Sequence, residues 1–223
     1  MKPSTLNSIN GNQYQVKAYF VSGKVKYGSA TLVRNSVGDI APITANHVIQ
    51  AENGEKPVKV ELKVFNGASA QTIAVDPISS SNGQDSAALK PVSIADRQAI
   101  NSQPASEIAQ LPNSISQLKN HGKGANQATG TLLQFKRPGS GGRTDNPSTE
   151  AKVIGETSNG QELIIEEPNQ VLQQGASGSG AIKDGEYEGT LSKGDPSGTT
   201  RVVLNAHNPI VNEELNRQIA LTA

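Results

Sequence analysis

The chain has 223 residues, 34% of them hydrophobic, with three Phe, four Tyr and no Trp, a length that suits one large domain or two small ones. Its 20 basic and 20 acidic residues balance, so no overall field draws it to nucleic acid or to an anionic membrane. The absence of Cys excludes a disulfide framework, a thiolate metal site and a cysteine nucleophile, and no apolar run approaches the roughly 18 residues of a membrane span.

The first eight residues, MKPSTLNS, hold no apolar core of the kind that directs secretion, which favours a cytoplasmic setting. The 22 glycines and 12 prolines punctuate the whole length, a pattern of short strands joined by tight turns. Residues 14–21 and 25–33 alternate on either side of a Ser22-Gly23-Lys24 turn. After a Gly38-Asp39 break, residues 40–49 read as a strand running into a turn. Residues 58–65 alternate strictly, with Val58, Val60, Leu62 and Val64 apolar, and shorter strands follow at 72–75 and 85–89. Six short strands without a long helix between them predict an antiparallel barrel or sandwich.

Residues 95–128 are polar and read as a connector with a short helix near 106–110. Strands resume at 129–135, 151–154 and 162–165, and Pro138-Gly139-Ser140-Gly141-Gly142 is a loop by composition. Residues 179–182 and 187–191 flank Lys183-Asp184-Gly185-Glu186, a hairpin signal because Asp-Gly favours the primed turn. A last strand at 201–204 precedes Asn208-Pro209, which caps a helix from about 210 to 220 with Ile210, Val211, Leu215 and Ile219 near helical spacing. No sequence repeat relates the two halves, although their strand content is similar.

Three histidines make the search for a base short. His47 ends the strand-to-turn segment Ile43-Thr44-Ala45-Asn46. His121 and His207 sit in no motif and read as surface or satisfied side chains. No pair has zinc-ligand spacing, so no metal site is expected. Gln173-Gln174-Gly175-Ala176-Ser177-Gly178-Ser179-Gly180 has a linker's composition, yet Val171-Leu172 and Ala181-Ile182 bracket it with patterned strand. Glycines around a serine let the backbone turn sharply to present the hydroxyl and aim amide groups at one spot. The hydrolase elbow is excluded, because its second glycine would fall at Ser179. Asp85, opening an apolar strand, reads alone as a turn residue.

His47, Asp85 and Ser177 follow one another at separations of 38 and 92 residues. Together with Gly28-Ser29-Ala30-Thr31-Leu32-Val33, Thr44-Ala45-Asn46-His47-Val48, Asp85-Ser86-Ala87-Ala88-Leu89 and Gly175-Ala176-Ser177-Gly178-Ser179-Gly180, this order resembles the chymotrypsin-like (trypsin-like) serine proteases, nearest to their disulfide-free bacterial and viral branches. The resemblance runs from about residue 15 to the C-terminal helix. It implies an all-β fold of two antiparallel six-stranded Greek-key barrels followed by a helix. The first barrel would occupy 1–100, a connector 101–128, the second barrel 129–206 and the helix 207–223.

The implied activity is peptide-bond hydrolysis through an acyl-enzyme, with polypeptide as substrate and no cofactor. Ser177 would be the nucleophile, His47 the base and Asp85 the acid that orients it, with the Gly175 and Ser177 amides as oxyanion hole. Ser192 and Gly194 would pair with the substrate main chain, beside a pocket involving Leu191 and, at its base six residues before the nucleophile, Val171. Val171 removes the acid that selects Arg or Lys, and Leu191 stands where glutamate-specific members carry His. An apolar or small side chain before the cleaved bond is therefore favoured. Ala176 replaces the aspartate that receives a freed N-terminus in zymogen-type members, which implies activity without such processing.

Two other readings use the same residues: a catalytically inactive binding module on this fold, and an esterase employing the same triad. Lys119, Lys123, Lys136, Arg137 and Arg143 make residues 108–144 basic, but with Phe135 as the only aromatic they read as a solvated surface and not a nucleic-acid site.

Overall fold

The period-two pattern read in the first strands is what closes the first barrel. In β1 (Tyr14–Tyr19) the alternate residues Tyr14, Val16 and Ala18 are buried, and in β4 (Lys59–Asn66), paired antiparallel with it, so are Val60, Leu62 and Val64. Val58 lies just outside β4 and is 64% exposed. The computed structural model describes residues 14–51, 53–66, 69–113, 129–135, 149–168, 172, 175–194 and 198–223. His121, the five basic residues from Lys119 to Arg143 and the 138–142 loop lie outside the described residues.

Besides β1 and β4, the first barrel contains β2 (Val25–Arg34), β3 (Ile40–Thr44), β5 (Ser69–Ser79) and β6 (Ala87–Pro91). Their antiparallel pairings close a ring in the order 1-2-3-6-5-4. The second ring has β8 (Leu132–Phe135), β9 (Thr149–Glu156), β10 (Glu162–Glu166), β11 (Gly180–Lys183), β12 (Glu186–Gly194) and β13 (Thr200–Asn205). It closes in the order 8-9-10-13-12-11. The two halves, without a shared sequence repeat, thus repeat one Greek-key order. The predicted hairpin is present: Asp184 and Gly185 both have positive φ, at 51° and 82°, as the primed turn requires.

The segment read as a connector contains two elements the sequence pattern concealed. Helix α2 (Ile94–Asn101) starts at Ser93, whose hydroxyl accepts the Asp96 amide at 3.1 Å. In place of a helix near 106–110 there is one helical turn followed by β7 (Ile108–Gln110). β7 runs parallel to β2 and touches β12 through the Gln110–Glu186 pair, so it joins the barrels. Two further boundaries differ from expectation. β3 ends at Thr44 and gives way to a single helical turn, α1 (Asn46–Ile49), while β6 begins at Ala87 and leaves Asp85 in the preceding turn.

Each barrel has its own apolar core, with Leu32, Leu62, Ile73 and Leu89 in the first and Leu133, Phe135, Ile165 and Val203 in the second. A third cluster lies between them. It joins Val33, Ile43 and Ala88 of the first barrel to Ile182, Tyr187 and Leu204 of the second and to Val211, Leu215 and Ile219 of the terminal helix α3 (Pro209–Ala220). Asn208 caps α3 as read from the sequence, its side chain accepting the Ile210 amide at 3.0 Å. No helix among the described residues is long and apolar enough to cross a membrane.

Candidate active site

His47 sits on α1, directly after β3, and Asp85 in the turn before β6. β3 and β6 are neighbours, paired Ile43 to Ala88 and Thr44 to Ala87, so residues 38 apart in sequence leave the same barrel end together. The Asp85 carboxylate takes both a main-chain and a side-chain bond from His47: Oδ1 accepts the His47 amide at 2.9 Å and Oδ2 lies 2.8 Å from Nδ1. Asp85 is 26% exposed and the His47 side chain 45%. Burial acts to raise the Asp85 pKa, but the bonds from His47 and Ser192 outweigh it and hold the carboxyl below its usual range.

Ser192 enters by its hydroxyl, which donates to Asp85 Oδ2 at 2.5 Å. The reason is a β-bulge: Leu191 pairs with Val203 and Lys193 with Val202, so Ser192 is an extra residue in β12. A bulge re-aims the side chain of the inserted residue, and here it points the hydroxyl across to the first barrel. The sequence reading assigned Ser192 only main-chain contacts.

Ser177 lies in the turn between Leu172 and β11. Its carbonyl accepts the Ser29 amide at 2.8 Å, and the Ser29 hydroxyl donates to the Gly175 carbonyl at 2.7 Å. Gly178 has φ +89°, and any Cβ there would strike the Ser29 carbonyl and the Thr44 hydroxyl and lie 3.0 Å from the Ala45 amide. The turn is therefore pressed onto β2 and onto the end of β3, two to three residues before His47. Farther along, Gly180 donates its amide to Thr31 Oγ1 at 2.7 Å. The amides of Gly178 and Ser179 are used internally, by Leu191 and Ala176 carbonyls at 2.9 Å each. Among the described residues those of Gly175 and Ser177 have no acceptor, and no hydrogen bond joins the Ser177 hydroxyl to His47.

Leu191 is buried at 4% exposure, Ser192 at 3%, and Gly194 is exposed. Val171 lies outside the described residues. Next to it, Leu172 is clamped at both ends of its peptide: its amide donates to Glu167 at 3.0 Å and its carbonyl accepts Arg201 Nε at 3.1 Å. Glu167 is fully buried and Arg201 5% exposed, an arrangement nothing in the local sequence announced. Asp76, the other acid near Asp85 in sequence, is exposed and faces Lys90 across β5 and β6.

His207 is ion-paired, its Nε2 2.6 Å from Glu188 and its side chain 9% exposed. Burial alone would lower its pKa, yet Glu188, helped by Glu186, raises it. Glu186, Glu188 and His207 are the group of metal-ligand type among the described residues, with ligand atoms within 4.8 Å of one another. They lie at the opposite end of β12 from Ser192, roughly 13 Å away along the strand at ~3.3 Å per residue.

No family model matches the sequence, and no curated protein matches it. Solved structures do match its fold. A serine endoprotease from Yersinia pestis superposes with a TM-score of 0.63 at 12% identity, covering 99% of this chain and 68% of its own. A Glu endopeptidase gives 0.57 at 15% identity over 97% and 92%. An inactivated protease paralogue of the scabies mite gives 0.60 at 12% over 95% and 96%. The chain has the fold of the chymotrypsin-like serine proteases.

Proposed function

We propose that the protein is a serine endopeptidase acting through a Ser177–His47–Asp85 triad. The observation that supports this most is the doubly bonded His47–Asp85 pair, completed by Ser192, beside a Ser177 turn pressed onto the residues that lead into His47. In the first half-reaction Ser177 Oγ attacks the scissile carbonyl carbon while His47 takes the hydroxyl proton. The tetrahedral oxyanion is met by the Gly175 and Ser177 amides, donors that need no reorganisation at that moment. Collapse expels the amine, which receives the proton from His47 and leaves an acyl-Ser177 ester. Water, deprotonated by the same His47, then hydrolyses that ester. Asp85 holds the imidazole with Nδ1 protonated, so that Nε2 is the basic nitrogen, and it stabilises the imidazolium formed in each step. The missing Ser177–His47 bond is compatible with this role, because catalytic hydrogen bonds are often long before substrate binds and tighten in the complex.

Substrate binding follows the added-strand mode: the main chain of Ser192 and Gly194 supplies pairing groups, with Leu191 beside the pocket. The test is a fluorophosphonate probe followed by peptide mapping, together with digestion of a proteome-derived peptide library. Labelling of Ser177 and cleavage that disappears in Ser177→Ala are expected. Label on Ser179, or neither label nor cleavage, would remove the assignment.

A further inference from the structure

Asp85 lies in a loop, residues 80–86, that is gripped near both ends by one face of α3. Glu214 accepts the Ser81 amide at 2.9 Å through Oε1 and the Ser81 hydroxyl at 2.8 Å through Oε2. One turn later, Gln218 Nε2 donates to the Ser86 carbonyl at 3.1 Å, and the Ser86 hydroxyl reaches Gln218 Oε1 at 3.4 Å. Arg217 backs Glu214 with bonds of 2.9 and 2.6 Å and extends Nη2 to the Ser79 carbonyl at 3.3 Å. The loop is also closed on itself, Ser80 amide to Ser86 carbonyl at 3.1 Å and Ser86 amide to Gln84 carbonyl at 2.8 Å.

These bonds are made away from water. Gln218 and Ser86 are fully buried and Glu214 is 6% exposed, so leaving a partner unmatched carries the desolvation penalty of a buried polar group. The demand on the loop is also unusually sharp. The Asp85 carboxylate has to meet the His47 amide, His47 Nδ1 and Ser192 Oγ at once, at 2.9, 2.8 and 2.5 Å. Hydrogen bonds lose most of their strength when stretched to roughly 3.5 Å, so a loop displacement of less than an ångström would break the set. Ser86, the next residue, is fixed by α3 through both main chain and side chain.

We propose that Glu214 and Gln218 are positioning residues for the triad: the C-terminal helix sets where Asp85 stands and thereby how His47 is held. The catalytic consequence rests on the protease reading; the geometric part does not. The helix reaches the Asp85 loop at Ser81 and Ser86 across 133 and 132 positions of sequence, because the core between the barrels seats it against β6 and the turn before it.

The experiment compares the parent with Gln218→Met, which keeps length and bulk while removing the hydrogen bonds to Ser86 and the weaker one to Glu214. The control is Asn216→Ala on the same helix, whose side chain bonds only to Asn212. Two readouts are taken on folded protein: kcat and KM on a peptide substrate, and the NMR resonances of the His47 Nδ1 proton and ring nitrogens. Gln218→Met is expected to lower kcat by about 10- to 100-fold with little change in KM, and to shift the His47 signals. Asn216→Ala should move neither. Should Gln218→Met fail to fold, Glu214→Gln, which still offers an acceptor to Ser81 but loses the ion pair with Arg217, is expected to act in the same direction. A folded variant with parental kcat and parental His47 resonances would overturn the proposal and leave α3 a purely structural support. If the parent neither hydrolyses peptides nor reacts with fluorophosphonate, the protease reading fails by itself. The His47 resonances then decide the positioning alone, and their constancy in the folded variant overturns it.

Discussion

At the scale of single residues, the side chains around the candidate site differ in what fixes them. His47 and Asp85, chosen from residue type and order, are in direct hydrogen bond. The Ser192 hydroxyl on Asp85 depends on a bulge, and a bulge is set by the partner strand, which local sequence does not specify. Removing that hydroxyl deletes one charge-assisted bond, worth about 1.5–3 kcal/mol. If that loss falls on the transition state and not on the free enzyme, Ser192→Ala loses roughly 10- to 100-fold in kcat/KM. Asp85→Asn is expected to be harsher, on the order of 10⁴ in kcat, because an amide cannot enforce the tautomer that leaves Nε2 basic. Steady-state kinetics on a peptide substrate checks both, and a Ser192→Ala enzyme slower than Asp85→Asn would reverse the order of dependence argued here. Gly178 makes a different kind of demand. With φ +89° and no room for a Cβ beside Ser29 and Thr44, Gly178→Ala adds backbone strain of order 1–3 kcal/mol to a direct clash. The expected result is a lower melting temperature together with loss of probe labelling at Ser177.

At the scale of elements, alternation shows in strands such as β1, β9 and β10, which bury one face. It failed where an element owes its existence to neighbours. β7 has three residues and no period to display; it forms because the edges of β2 and β12 leave pairing groups for it. α2 buries only Ile100 fully and exposes Ile94, so its apolar stripe is faint. The signal that did exist was Ser93 followed three residues later by Asp96, a helix start in which the Ser93 hydroxyl accepts the Asp96 amide and donates to the Asp96 carboxylate. Ser93→Ala should therefore destabilise the chain by about 1 kcal/mol, a fall of roughly 2–4 °C in Tm for a protein of this size, with activity retained. α3 was legible by cap and spacing, but its electrostatic role was not. Arg217, together with the Ser81 bonds and against the effect of burial, holds the Glu214 pKa down to about 2, from 4.5. A carboxyl depressed in the folded state contributes stability that is present above its unfolded pKa and lost as pH falls toward the folded value. That contribution is on the order of 3 kcal/mol. Denaturation midpoints measured from pH 5 down to pH 2 should fall in the parent and fall less steeply in Glu214→Gln; parallel curves would place the acid sensitivity elsewhere, Asp85 and Glu61 being the other carboxyls depressed in the same direction.

At the scale of the whole molecule, two rings with one strand order leave a seam between them, and the seam holds both the apolar cluster under α3 and the residues of the candidate site. The pairing of distant segments across such a seam is what one sequence reads worst, since each side looks like an ordinary strand end. The seam also bears on how the oxyanion loop is kept in shape. In zymogen-type members of the family a freed N-terminal ammonium enters the protein and pairs with an acid just before the nucleophile. Here that position is Ala176, 1% exposed and packed in the second barrel's core with Leu172, Ala181 and Leu191. An ammonium brought there would lose its hydration without gaining a counter-charge from this position, a penalty of several kcal/mol. The loop has other supports. Ser29 grips the Gly175 and Ser177 carbonyls from the first barrel, Leu191 accepts the Gly178 amide from β12, and Thr44 fixes the Ser29 carbonyl at 2.7 Å. These bonds are in place in the folded chain, which predicts that folding alone sets the loop's shape. The expected outcome is that protein carrying an N-terminal affinity tag labels at Ser177 and cleaves peptide at the same rate as protein from which the tag has been cut. Ser29→Ala, which removes the hydroxyl that holds Gly175, should reduce both in either preparation. Activity that appears only after proteolysis near the N-terminus would show that the loop needs an external support after all.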